Sequence, residues 1–157
     1  MKKALSIIII AVLLLTLTAC SGNPLVEDLK TYPGVIRQIV IQEIAFEKAF
    51  SDMKARLKDQ PEPALALIKA TLIPSSQIMI TTMENGTPQT EALVKVHTLL
   101  KDAIQKRHNA LTALQGAIES KEVATIKSAL ATLEETIEGF NKQFVEVNKT
   151  LESLKAQ

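Results

Sequence analysis

Tryptophan is absent from this chain, tyrosine occurs once, and aromatic residues together make up 3% of the 157 positions. That deficit argues against a β-sandwich and for aliphatic side chains packed between helices. Glycine is scarce as well, with five residues, and neither a glycine-rich phosphate loop nor a Gly-x-Ser-x-Gly elbow occurs. The single cysteine, Cys20, has no partner for an internal disulfide, and the Cys-x-x-Cys-His motif of covalent haem attachment is missing. An excess of charge of one sign is lacking too. Of the 18 Lys and Arg, Lys2 and Lys3 sit at the extreme N-terminus, and the sixteen others face 17 Asp and Glu. Such a balance offers no broad attraction to nucleic acid or to anionic lipid, and no nucleic-acid partner is expected.

Long apolar runs are confined to one place. Met1-Lys2-Lys3 is followed by a nearly unbroken apolar stretch from Ala4 to Thr18. A spanning helix needs roughly 20 apolar residues, and this stretch is shorter and stops at small residues, so a secretory signal is expected rather than a transmembrane anchor. It ends in Leu17-Thr18-Ala19-Cys20. Cationic start, apolar core, small residues and cysteine fall in the order of a lipobox, and residues 1 to about 22 resemble the leader of bacterial lipoprotein precursors. The resemblance implies a cleaved signal peptide over residues 1–19, a diacylglyceryl thioether on Cys20, and an N-acyl chain on the new amino terminus. Two or three acyl chains hold a protein stably at a bilayer where one does not. The implied location is the cell membrane or outer membrane, outside the cytoplasm. Ser21, where Asp is linked to inner-membrane retention, favours the outer membrane in a host that has one.

Beyond Cys20, residues 20–32 read as a short tether and residues 33–157 as one helical domain. Tyr32-Pro33-Gly34 punctuates the chain, and Pro33 suits the first turn of a helix running to about Lys58. A second helix is expected from about Glu62 to Met83, kinked at Pro74 or split there into two. A third runs from Pro88, capped by Thr87, to about Ile118. A fourth starts near Ser120 and extends to about Leu154, with a clean three-four series Val123, Ile126, Leu130, Leu133, Ile137, Phe140, Phe144, Val147, Leu151, Leu154. That helix cannot stand alone, because ordering some thirty residues costs more than burying one stripe returns. The expected fold is all-α, an up-down-up-down four-helix bundle; a dimeric coiled coil through the fourth helix is the competing way to cover its stripe.

Three ionisable residues interrupt the apolar series. Glu43 falls in the series of the first helix, and His97 and Arg107 in that of the third. An ion in an apolar layer is costly unless paired, and one reading therefore pairs Glu43 with His97 if helix starts align, or with Arg107 if helix ends align. The plainer reading, placed ahead of it, leaves them unpaired, with Glu43 and His97 at the half-solvated edge of the series and Arg107 snorkelling to water. No metal is expected: His97 and His108 lie about 16 Å apart along one helix, and the Glu-x-x-His signature of di-iron bundles is absent. Met79 and Met83, one turn apart, read as core filler rather than as ligands of copper or haem. Gly116 and Gly139, inside helices, mark either close helix approach, a small cavity, or mere tolerance.

No catalytic constellation is present, and the chain is not expected to be an enzyme. The sequence points to a non-catalytic binding or accessory module of the cell envelope, with the membrane and an envelope protein as partners and no cofactor beyond the lipid on Cys20. A carrier of a small apolar ligand or haem within the bundle is the alternative.

Overall fold

A computed structural model describes residues 23–156, so the leader, the lipobox and Cys20 lie outside the described residues. Those residues are all-helical. Four helices follow one another: α1 (Pro24–Leu57), α2 (Pro61–Asn85), α3 (Glu91–Ser120) and α4 (Val123–Lys155).

The first helix starts nine residues earlier than the proline-glycine punctuation predicts. Asn23 caps it, its side chain accepting the Leu25 N–H at 3.0 Å, and Pro24 occupies the first turn, where its missing N–H is harmless. Pro33 and Gly34 are then carried inside the helix. An interior proline costs about 3 kcal/mol, and here Asp28, Tyr32 and Ile36 are buried on either side of it. Their tertiary contacts outweigh the local penalty. Residues 24–32 are therefore part of the bundle rather than a tether.

Pro74 does not divide α2. Immediately before it the chain makes a π turn, Ile68–Leu72, in which the Ile73 N–H reaches back to the Ile68 carbonyl. Widening the turn by one residue accommodates a proline that has no N–H to give. By length and composition α2 is the one described helix suited to crossing a membrane, yet Ile68, Leu72, Met79 and Met83 are buried between α1 and α3.

Helix α3 begins at Glu91, with Thr90 at the cap position, rather than at Pro88. Asp28 of α1 explains the shift. Its carboxylate accepts the Gln89 N–H at 3.1 and 2.9 Å and the Thr90 N–H at 2.6 Å, holding these amides outside the helix. Ser120 likewise closes α3 instead of capping α4, donating to the Ala117 carbonyl, and Lys121 turns the chain in the left-handed region with φ 61°.

Consecutive helices pack against each other, and α1 and α4 touch over a short stretch. Cross-links fall in a consistent order: Lys69–Glu119, Ser76–His108 and Glu84–Lys101 join α2 to α3, while Lys54–Glu134 joins α1 to α4. No Cα of α1 comes within 8 Å of a Cα of α3. On α4 the stripe is unevenly covered, with Leu133, Phe140, Val147 and Leu151 buried, Leu130, Ile137 and Phe144 half-buried, and Val123 exposed.

Candidate functional site

Four helices meet at one residue. Arg107 of α3 is the largest fully buried side chain among the described residues. Its Nη1 donates to Oε1 and Oε2 of Glu43 at 2.9 and 2.7 Å, and its Nη2 donates to the Met79 sulfur at 2.9 Å. The rings of Phe46 and Phe140 lie on the guanidinium, with centroids 4.1 and 4.2 Å from Cζ. Glu43 and Phe46 come from α1, Met79 from α2 and Phe140 from α4. No Cα pair of α1 and α3 comes within 8 Å, so at this level the gap is bridged by side chains, with the long arginine reaching across to Glu43.

Each neighbour does a separate job. Glu43 neutralises the cation, the aromatic faces attract it through their quadrupoles while excluding water, and the thioether is a weak acceptor for a donor otherwise left bare. Nε finds no partner among the described residues. Burial pushes the Glu43 carboxyl up and the Arg107 guanidinium down, and their mutual attraction opposes both shifts. The Glu43 side chain keeps 14% of its surface open to solvent, whereas Arg107 has none. Desolvating two ions offsets most of their attraction, but removing one partner leaves the other charged and dry. Of the two contacts foreseen for Glu43, the structure makes the one with Arg107, and Arg107 does not snorkel.

His97 belongs to a different cluster. It is 4% exposed and stacks obliquely on Tyr32, ring centroids 5.8 Å apart. Neither the Tyr32 hydroxyl nor His97 Nδ1 has a hydrogen-bond partner among the described residues. Burial, helped by Lys101, holds the imidazole below its ordinary value. Burial and the nearby Asp28 charge push the Tyr32 hydroxyl up. Burial alone raises Asp28, but hydrogen bonds from Thr90 and Gln89 outweigh it and keep this carboxyl below the usual range.

Sequence reasoning missed two polar links. Asp28 lay in the presumed tether, and its role as a cap for a helix sixty residues away leaves no local signal. Ser76, mid-helix, donates to the Ile73 carbonyl at 2.8 Å and lies 2.8 Å from His108 Nδ1, tying the segment after the π turn to α3. No third group among the described residues hydrogen-bonds to His108 to orient it as a nucleophile pair would require, and Ser76 is fully buried. Among the described residues no three His, Cys, Asp or Glu converge as metal ligands. The surface of the described residues carries a shallow cleft of about 400 Å³ along Pro74, Ile78 and Thr82 and another of about 270 Å³ beside Leu99 and Gly139. Comparison with protein-family models, with curated proteins and with solved structures finds no match to this chain.

Proposed function

We propose that this chain is a lipid-anchored, non-catalytic binding or accessory module of the bacterial cell envelope, an up-down-up-down bundle bent at Pro74 and tethered through Cys20. The cross-links support the topology: residue numbers rise along α2 as they fall along α3, and Lys54 to Phe46 on α1 runs against Glu134 to Phe140 on α4. The π turn beside Pro74 supports the bend. The lipobox supports the anchor, and α1, which begins at Pro24, leaves little slack between Cys20 and the folded part.

The observation that carries the adaptor reading over the carrier reading is the filled middle layer. Glu43, Phe46, Met79, Arg107 and Phe140 occupy the place where a carrier keeps its cargo. Such a core makes a rigid body that presents helix faces to a partner. Mass spectrometry of the N-terminal peptide from isolated membranes tests the anchor, and Cys20→Ser is expected to release the protein from the membrane fraction. Crosslinking in intact cells followed by recovery of the lipidated protein tests the adaptor: an envelope protein is expected. A visible absorption band or co-purified lipid in the protein would establish a carrier instead.

A further inference from the structure

Because α1 is continuous from Pro24, its outer side can be followed along the whole helix. At about 100° per residue, Lys30, Arg37 and Lys48 fall within an arc of about 100°. All three are exposed, and none makes an ion pair among the described residues. Val26, Val40, Ile41 and Ile44 share that arc and are 47%, 36%, 52% and 65% exposed. The carboxylates of α1, namely Glu27, Asp28, Glu43, Glu47 and Asp52, all fall outside it. A near-neutral chain thus hides one helix face whose charges are all positive and whose other large side chains are aliphatic. Helix α4, by contrast, carries five Glu against four Lys.

We propose that this face of α1 lies on the anionic lipid surface in which the Cys20 acyl chains are embedded, so that the bundle rests on its side rather than standing on its anchor. The proposal rests on the anchored reading above. Charge complementarity selects the occupant: lysine and arginine sit at the level of anionic headgroups while Ile41 and Ile44 enter the acyl boundary between them. Proximity does the rest. The four residue steps from Cys20 to Pro24 span at most about 14 Å, so the start of α1 stays beside the bilayer, and the face from Val26 to Lys48 supplies roughly 30 Å of contact line.

The test uses the full lipidated chain, purified from membranes, with a fluorescent label on Ile44→Cys or, as control, on Asn109→Cys, an exposed α3 position. The only natural thiol, Cys20, is blocked by lipid in the processed protein. In vesicles of phosphatidylcholine with about one-third phosphatidylglycerol, a lipid-borne quencher is expected to quench position 44 several-fold more than position 109. That difference is expected to vanish in pure phosphatidylcholine and on combining Lys30→Glu, Arg37→Glu and Lys48→Glu. Equal quenching at both positions in anionic vesicles overturns the proposal, as does a position 44 shielded from both lipid and aqueous quenchers, which marks a protein or second copy on this face. Mass spectrometry of Cys20 on the same sample separates the two readings. Lipidated Cys20 with equal quenching rejects only the resting face; unmodified Cys20 rejects the anchor and the proposal together.

Discussion

Both carboxylate oxygens of Glu43 converge on a single nitrogen of Arg107, at 2.9 and 2.7 Å, across a distance that the backbones of their helices never close. The pair is therefore asymmetric in its consequences. Glu43→Ala strands a fully buried guanidinium and is expected to destabilise the protein by about 3 kcal/mol or more, as is usual for breaking a buried pair from one side. Arg107→Met, which fills similar volume between Phe46, Met79 and Phe140, is expected to cost less once Glu43→Leu accompanies it. Urea denaturation of Glu43→Leu, Arg107→Met and the double variant would measure the coupling. Strictly additive losses would mean that the two side chains do not depend on each other.

Tyr32 buries a hydroxyl with no partner among the described residues. Leaving such a group unsatisfied costs roughly 1–3 kcal/mol. Tyr32→Phe removes the group and keeps the ring against His97, so its unfolding free energy is expected to equal or exceed that of the parent by up to about 1 kcal/mol. A loss of similar size would instead reveal a bound water or other partner holding the hydroxyl.

His97 links stability to pH. Its folded value is lowered by burial and by Lys101, so between that value and the ordinary imidazole value of about 6.5 the unfolded chain takes up a proton that the folded chain refuses. Stability is complete above that ordinary value and declines as the pH falls below it. Asp28, whose value is also lowered, acts in a separate window, contributing above the usual carboxylate range and losing its contribution under acid. Glu43, with a raised value, works in the opposite sense. Comparing melting temperatures of parent and His97→Gln from about pH 7.5 to about pH 5 isolates the histidine. The parent is expected to lose more stability than the variant; parallel curves would remove His97 as the cause.

Gly116 and Gly139 sit inside helices where an added Cβ meets nothing within 4 Å. Close helix approach is thus not what places them there. Gly116→Ala and Gly139→Ala are each expected to raise stability by about 0.5–1 kcal/mol through helix propensity. Gly86 is the control with the opposite sign, since a Cβ there runs into the Val35 side chain, and Gly86→Ala is expected to destabilise.

Local pattern made much of the fold readable. The three-four series on α4 marked its inner side, and the breaks between the long helices fall close to where the sequence places them, after Lys58, before Pro88 and near Ser120. Glu43, His97 and Arg107 stood out as interruptions of an apolar series, but the preferred reading set them at its solvated edge, and the buried Glu43-Arg107 pair was the second one. Pairing was harder, because the sequence carries no record of helix register. Glu43 could have met either cation until the helices were set side by side.

The errors share one cause. Pro33-Gly34 and Pro74 are strong local breakers, yet α1 runs through the first pair and α2 continues past the second through a π turn, so neither the start at Pro33 nor the split at Pro74 holds. Breaking α1 at Tyr32 also hid the basic outer face, since Val26 and Lys30 fall in phase with Arg37 and Ile44 only on an unbroken helix. By itself, then, the amino-acid order determined the all-helical class and the inner stripe of each long helix, because these depend on neighbours a few residues apart. Only the tertiary structure decided which ions pair, that Asp28 caps α3, and that two prolines stay inside helices. Those outcomes depend on burial free energy shared between distant segments, which outweighs the local preference of any one of them.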